Sequence, residues 1–417
     1  MNQITAPRGT RDIIFPEVAQ WQMLEEKVRS FYSRFLYREI RTPMFERSEL
    51  FQRGIGDATE VVQKEMYTFQ DKAGRSLTLR PENTASVVRA AIEGNLFDAV
   101  FPLRFYYIGP MFRYDKPQKG RYRQFHQFGV EVFREDKPQL DAEVVFAAYA
   151  FLEELGLRDI SLEINSVGCE KCRPGYLETL KVEARKRETD LCEDCRRKID
   201  SNPLRIFDCK QPGCREASRD FPTITGHLCD DCAGHFLGLK AGLKAYDVDF
   251  VVNERMVRGL DYYTRTAFEI TSGQLGAQNA LLGGGRYNRL IRDLGGPDIP
   301  GIGFAAGMER LLLHLDAPPP REPRLCFLAC QSPDQRARAM GMARDLWNAG
   351  FHAYVDYSAA NLKKQFRRSD RMGAAYTLIF GEEEAASGEV TLKEMERQEQ
   401  VRVSQQELVK WLKKQVK

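Results

Sequence analysis

Four cysteine pairs lie between Cys169 and Cys232: Cys169-x-x-Cys172, Cys192-x-x-Cys195, Cys209-x4-Cys214 and Cys229-x-x-Cys232. No other feature restricts the fold so strongly. The stretch is rich in charge and poor in apolar periodicity, so its order must come from something other than an ordinary core. The chain opens MNQITAPRGTRDIIF, without an apolar stretch suited to a signal peptide, and has no run of about 18 apolar residues. A cytoplasmic protein with no membrane association is expected, and there thiols stay reduced. Paired CxxC knuckles then point to tetrahedral zinc. Eight thiolates suffice for two four-cysteine sites, although the Cys209–Cys214 spacing is unusual; free cysteines in an insertion are the alternative. One or two structural zinc ions per chain are expected, and their removal should loosen this segment without disturbing a substrate pocket in another domain. Cys326 and Cys330 read as buried packing residues.

Strand character flanks the cysteines on both sides, so 169–235 reads as an insertion into a domain built from 1–168 and 236–318. After Pro16, the stripe Trp21, Leu24, Val28, Phe31 and Phe35 predicts a helix. Pro43 keeps Tyr37–Phe45 extended. Strands are predicted at Met66–Gln70 and Ser76–Leu79, around a turn with Gly74, and at Arg104–Ile108, Gln124–Phe133, Ser161–Asn165, Val248–Asn253 and Ala267–Thr271. Helices fit Thr84–Glu93 and Ala142–Leu155. Strands joined by short turns imply an α+β fold, an antiparallel sheet flanked by helices, rather than a parallel array.

The proline-rich Ala317–Pro323 (APPPREP) reads as a stiff linker. Beyond it, at 324–417, strands at Leu325–Ala329, His352–Tyr357 and Tyr376–Phe380 alternate with helices at Pro333–Ala349 and Leu362–Met372; two more strands and an amphipathic helix follow. This is a separate α/β domain. From Arg321 onward the chain holds 17 Lys+Arg against 13 Asp+Glu, out of a total net charge of +3. The helix NLKKQFRRSDRMG gathers Lys364, Arg367, Arg368 and Arg371 on one side, with Lys363 nearby. That face suits phosphate, or it is simply solvated.

Four segments carry chemistry. RGLDYY (Arg258–Tyr263) puts an arginine, a carboxylate and two phenols together, as a pocket for a phosphate and a small polar ring requires; an exposed strand is the alternative. GIGFAAGMERLLL (Gly301–Leu313) runs from a glycine-spaced strand into a helix with Arg310 at its start, placed to hold a phosphate or to face solvent. In the strand 124–133, Phe125, Gln127, Gly129 and Glu131 share one face, which is either exposed or turned to a ligand that satisfies its amide and acid. Arg113 ends the preceding strand, and Lys116, Lys119, Arg121 and Arg123 follow it. TLRPENTA (Thr78–Ala85) sets Glu82 and Thr84 at a strand–helix junction where Asn83 or Thr84 is also an N-cap candidate.

At this point the residues resemble a known family. GIGFAAGMER is similar to motif 3 of class II aminoacyl-tRNA synthetases, the FR of MFRYDKP to motif 2, and Pro43 in REIRTPMF to the motif 1 proline. RGLDYY, QFHQFGVEVF and GGGRYN (Gly283–Asn288) resemble histidyl-tRNA synthetases specifically. The resemblance implies a homodimeric enzyme that uses ATP and Mg²⁺ to join L-histidine to tRNA(His) through histidyl-adenylate. Glu82 and Thr84 would hold the α-amino group, while Gln127, Glu131, Tyr262 and Tyr263 would line the histidine pocket. Arg113 would grip the α-phosphate and the substrate carboxylate, Phe125 would stack on adenine, and Arg310 would bind the γ-phosphate. Arg258 would meet the α-phosphate from the other side, in work that related enzymes give to a metal. The resemblance makes the insertion an embrace for the tRNA acceptor arm and the last domain an anticodon reader.

Asp115 stands where motif 2 usually has Glu, and Asn288 where an acid is expected after GGRY. The alternative of another class is an inactive paralogue that senses histidine as a regulatory subunit. Arg258 and the complete last domain speak against it.

Overall fold

The computed structural model describes residues 3–56, 59, 61–98, 102–118, 120–273, 280–315, 324–358 and 361–415. Lys119 and the linker Ala317–Pro323 lie outside them. The chain divides into two compact units, Met1–Pro319 and Pro320–Lys417.

In the first unit, α1 (Glu17–Ser33) buries Trp21, Leu24, Val28, Phe31 and Tyr32. The predicted stripe is correct up to Phe35, which lies past the helix end and is half-buried. Of the expected extended stretch only β1 (Arg38–Glu39) and the start of β2 (Phe45–Arg47) are regular strand. After α2 (Ser48–Ile55), β3 (Tyr67–Gln70) and β4 (Ser76–Leu79) pair around a turn. There Asp71 Oδ1 accepts from the amides of Ala73 and Arg75, and Gly74 takes φ +76°. These strands form a small sheet in the order β2-β4-β3.

The main sheet uses α3 (Thr84–Glu93) and α4 (Pro138–Glu154) as cover for β5 (Arg104–Phe112), β6 (Gln124–Phe133) and β7 (Ile160–Ser166). The insertion follows, with α5 (Arg173–Lys186), α6 (Glu193–Ser201) and α7 (Pro212–Ala217). Then come α8 (Asp230–Ala245), β8 (Val251–Val252), β9 (Thr264–Ser272), β10 (Ala280–Arg286), α9 (Leu290–Asp293), β11 (Gly301–Gly307) and α10 (Met308–His314). The order is β1-β5-β6-β11-β10-β9-β7-β8. All inner pairings are antiparallel; only the short edge pairs β1–β5 and β7–β8 are parallel. Phe128, Val130 and Val132 of β6 enter the main core, so the opposite face of that strand carries Phe125, Gln127 and Glu131.

A buried charge network ties the helices to this sheet. Arg286 of β10 is fully buried and donates through Nε to both oxygens of Asp141 at 3.1 Å, with a further short bond from Nη2. His235 of α8 lies 2.8 Å from Asp141 Oδ2, and Thr266 of β9 donates to the same oxygen. Burial pushes the Asp141 carboxyl up, but His235 and Arg286 overcome this and hold it below the usual range.

The insertion is more regular than its charge suggests. Tyr176, Leu180 and Ala184 form an i, i+4, i+8 stripe on α5 and pack with Leu191, Ile199, Ile206, Phe221 and Ile224 into a separate core. Charged neighbours mask that stripe in the sequence.

The second unit holds β12 (Leu325–Cys330), α11 (Pro333–Asn348), β13 (His352–Val355), α12 (Leu362–Arg371), β14 (Tyr376–Phe380), α13 (Glu382–Ser387), β15 (Glu389–Glu394), β16 (Gln400–Ser404) and α14 (Leu408–Gln415). The sheet order is β13-β12-β14-β15-β16, parallel in its first half and antiparallel in its second. Short α13 is the one element not anticipated. Cys326 and Cys330 are buried in this core as expected.

Candidate functional site

A cavity of about 670 Å³ opens on the face of the main sheet that carries Phe125 and Gln127. Glu82, Thr84, Arg113, Phe125, Gln127, Arg258, Tyr262, Tyr263 and Arg310 all line it. Residues distant in sequence meet there because β6, β11, β10 and β9 are adjacent strands.

Glu82 closes the start of α3. Its Oε2 accepts from the Thr84 amide at 2.6 Å and its Oε1 from the Ala85 amide at 3.0 Å. The side chain of the N-cap residue Asn83 makes no capping bond, so the carboxylate before it satisfies these amides. Glu131 does not line the cavity. It lies fully buried behind the wall, accepting from Thr84 Oγ1 at 2.7 Å and from the Tyr287 hydroxyl. Burial pushes its carboxyl up to about 8, against hydrogen bonds from Tyr287 and Thr84 that favour the anion.

That raised value makes stability depend on pH. The folded chain holds a proton on Glu131 that the unfolded chain releases above its ordinary value near 4.5, so ligand-free stability falls as pH rises from there to about 8. Glu131→Gln should flatten this loss by a few kcal/mol while raising the KM for histidine. Urea unfolding at pH 5 and 8 checks it; an unchanged difference between the two would show that Glu131 carries no such proton.

Five arginines line the cavity, Arg113, Arg121, Arg215, Arg258 and Arg310, and three of them, Arg113, Arg121 and Arg310, act on one another electrostatically. Burial lowers Arg310's affinity for its proton, and the charges of Arg121 and Arg113 lower it further. Mutually repelling, partly desolvated cations gain most from an anion placed between them. Arg113 Nε donates to the Pro81 carbonyl at 2.8 Å, and its guanidinium lies 5.4 Å from the Phe125 ring centre. Arg310 Nη1 donates to the Ala280 carbonyl at 2.8 Å.

Arg258 pairs with Glu269 at 3.3 Å and lies 5.9 Å from the Tyr263 ring centre. A Cβ on Gly283 would lie 2.5 Å from its Nη2, so that glycine makes room for the guanidinium. Arg258 Nε and Gln127 Oε1 are buried without a hydrogen-bond partner, two polar atoms that a ligand in the cavity can satisfy. The Tyr262 and Tyr263 rings lie 4.7 Å apart.

Several cavity residues escaped the sequence reading. Glu269, a charge inside the apolar run of β9, carried a visible signal; Arg121 was noted only as part of a basic loop. Asp115 pairs with Arg121, whereas Asn288 lies among Asp136 and Arg286, outside the cavity. Phe207, Asp208, Lys210 and Arg215 of the insertion also line the cavity. This overturns the expectation that the cysteine segment is separate from the pocket.

The eight insertion cysteines form two clusters, Cys169/Cys172/Cys229/Cys232 and Cys192/Cys195/Cys209/Cys214. Within each, all four sulfurs lie within 4.8 Å of one another. Individual Sγ–Sγ distances are 3.7 to 3.9 Å. A tetrahedral ion with bonds of about 2.3 Å requires sulfurs ~3.8 Å apart, so both clusters fit a four-thiolate metal. The first cluster joins the two ends of the insertion, and the second lies inside it.

No helix among the described residues is long and apolar enough to cross a membrane. The family model described as histidyl-tRNA synthetase matches residues 9–189 and 234–311, and the anticodon binding domain model matches 326–415. The chain is 46% identical to the histidine–tRNA ligase of Halothermothrix orenii over 99% of both chains. It is 48% identical to that of Moorella thermoacetica, over 94% of this chain and 93% of the relative. The crystal structure of apo Staphylococcus aureus histidyl-tRNA synthetase superposes with a TM-score of 0.83 at 34% identity, covering 98% of this chain and 99% of that one.

Proposed function

The chain belongs to the histidyl-tRNA synthetase family and is a class II histidine–tRNA ligase that joins histidine to tRNA with ATP, and from that premise we propose how its residues divide the work. The single observation that carries the assignment is the convergence of Arg113, Arg258 and Arg310 with the Tyr262/Tyr263 pair on one cavity.

Adenylation builds negative charge on a five-coordinate phosphorus, and pre-aimed guanidinium groups stabilise it. Arg113 and Arg258 meet the α-phosphate from two sides, Arg310 binds the γ-phosphate, and Phe125 stacks on adenine. The substrate carboxylate is the nucleophile, so positioning and charge stabilisation suffice. Glu82 and Thr84 hold the α-amino group, and Gln127, Tyr262 and Tyr263 line the histidine pocket. Glu131 acts through Thr84 and Tyr287, fixing the wall. ATP use in this family involves Mg²⁺, which would offset phosphate charge; the carboxylates on the cavity wall near Arg310 are Glu269, paired with Arg258, and Glu309, which accepts from the His126 amide, and these would hold it. The regulatory paralogue is disfavoured, because the ligase relatives match over the whole chain. Histidine-dependent exchange of pyrophosphate into ATP tests the assignment, and a chain that binds histidine without exchange would refute it.

The protein is proposed to act in the cytoplasm as a homodimer. Exposed Phe45 and Phe69 of the β2-β4-β3 sheet, with Met44 just before β2, support the homodimer. The domain limits 1–168 with 236–318, 169–235 and 324–417 are kept, with α8 running unbroken across the second insertion boundary.

Zinc is the metal proposed for both cysteine clusters, where it would order the insertion. Protein purified without metal columns should carry about two zinc ions per chain, one for each cluster. Mass spectrometry or plasma emission checks this, and less than ~0.2 per chain sinks it.

The second unit is proposed to read the anticodon stem of tRNA(His), and α12 needs one revision. Arg368 is tied to the buried carboxylate of Asp356 at 2.7 Å, which leaves Lys363, Lys364, Arg367 and Arg371 exposed for phosphates. Arg367→Ala should lower the log–log salt slope of tRNA binding by ~0.7–0.9. Truncation after Pro318 should spare histidine activation and raise the tRNA KM steeply. A truncated enzyme that charges tRNA like the full chain would remove this role.

A further inference from the structure

The insertion reaches the substrate pocket with Phe207, Asp208, Lys210 and Arg215, all within six residues of Cys209 of the second cluster. Residues 196–208 connect Cys195 to Cys209, so the cluster fixes both of their ends. Within them, Arg205 Nη1 donates to Asp208 Oδ2 at 3.2 Å. Arg205 Nη1 would lie 3.9 Å from a Cβ on Gly259 of the RGLDYY segment, and the charge of Arg205 acts on Asp261 of the same segment. Asp208 lies in the field of Arg258. A cavity of about 240 Å³ is lined by Asn202–Arg205 on the insertion and by Val257, Arg258, Leu260 and Asp261.

The rest of the insertion grips the residues just before Arg258. Arg255 donates to the Ser218 carbonyl and lies 5.4 Å from the Phe207 ring centre, while Thr223 and Thr225 donate to Glu254. Arg258 itself sits in a segment without regular structure, between β8 and β9. On the sheet side its partner is Glu269. The guanidinium also lies over Gly283 and 5.9 Å from the ring centre of Tyr263, whose carbonyl accepts from Arg173 of the insertion.

We propose that metal in the Cys192/Cys195/Cys209/Cys214 cluster controls adenylation by holding Arg205 and Asp208 against the Arg258–Asp261 segment, so that Arg205 is a positioning residue for the catalytic arginine. Loss of that metal, by chelation or by an external peroxide that takes two electrons from two of the thiolates to form one disulfide while its O–O bond is reduced to water or alcohol, frees residues 196–208 and lets Arg258 swing from its place. The first cluster is not equivalent. It joins the insertion's two ends, and its nearest link to the pocket is Arg173, which donates to the Tyr263 carbonyl. The proposal rests on the metal reading of the second cluster.

The test uses the full chain. A Cys209→Ser/Cys214→Ser variant should fall from two metals per chain to one. It should lose roughly tenfold to a hundredfold in kcat for pyrophosphate exchange, the range expected for a misplaced catalytic group, while its histidine dissociation constant stays within about threefold. Amide hydrogen exchange should rise in 257–263. Arg205→Ala should keep both metals and reproduce the kcat loss, and Arg205→Lys should recover part of it. A wild-type chain that binds no metal overturns the metal reading and this inference together. A variant that loses its second metal yet keeps kcat within twofold overturns this inference alone, as does an Arg205→Ala chain with unchanged kcat.

Discussion

Arg258→Ala should abolish adenylate formation while leaving histidine binding within roughly tenfold. The side chain is half-buried with its Nε fully so, has one carboxylate partner at 3.3 Å, and keeps that Nε free for a ligand. A donor that meets charge only as it develops is worth ~2.7–4 kcal/mol, or ~10²–10³ in rate. The ring pocket of Tyr262 and Tyr263 does not need it, so ground-state histidine affinity is spared. Gly283→Ala should copy the defect, because the new Cβ would displace the guanidinium that now lies over Gly283. Pyrophosphate exchange that survives Arg258→Ala within a factor of three would remove the arginine from the transition state.

Asp141→Ala should cost about 3–5 kcal/mol of stability, the usual result of leaving one partner of a buried ion pair alone. Arg286 has no exposure, and its other partners are the Glu135 carbonyl, Asn288 and Asp136, none of which replaces a bidentate carboxylate. Replacing Asp141 and Arg286 together with Leu and Met should cost much less, since no charge is then stranded. Urea unfolding of the first unit decides it. A loss below ~1 kcal/mol for Asp141→Ala would show that water or a neighbour takes over the pairing.

Periodicity and chemistry made most of the sheet legible in the sequence. The strand Gln124–Phe133 and the helix Thr84–Glu93 have the predicted limits, because alternation in one and a Pro-Glu-Asn-Thr start in the other are local signals. The 248–253 strand shrank to Val251–Val252, since it pairs only at an edge with β7. Glu131 was read as a pocket wall because its parity on β6 matches Phe125 and Gln127. Parity fixes the face but not the depth, and Thr84 and Tyr287 stand between Glu131 and the cavity. The insertion's part in the pocket was not legible at all. Phe207 and Asp208 reach it through a fold that eight cysteines organise, and no spacing rule links residue 208 to residue 258.

The position of β11 between β6 and β10 has a consequence during synthesis. β6 emerges early and pairs at once with β5, but its other edge must wait for Gly301–Gly307. At ~5–20 residues per second the ribosome needs on the order of ten seconds or more to supply that strand. Meanwhile the edge of β6 offers unpaired amides and the apolar Phe128, Val130 and Val132, a template for any neighbouring nascent chain. Polysomes translating this message at high density would therefore bring such edges together, and slowing initiation rather than elongation should raise the soluble yield.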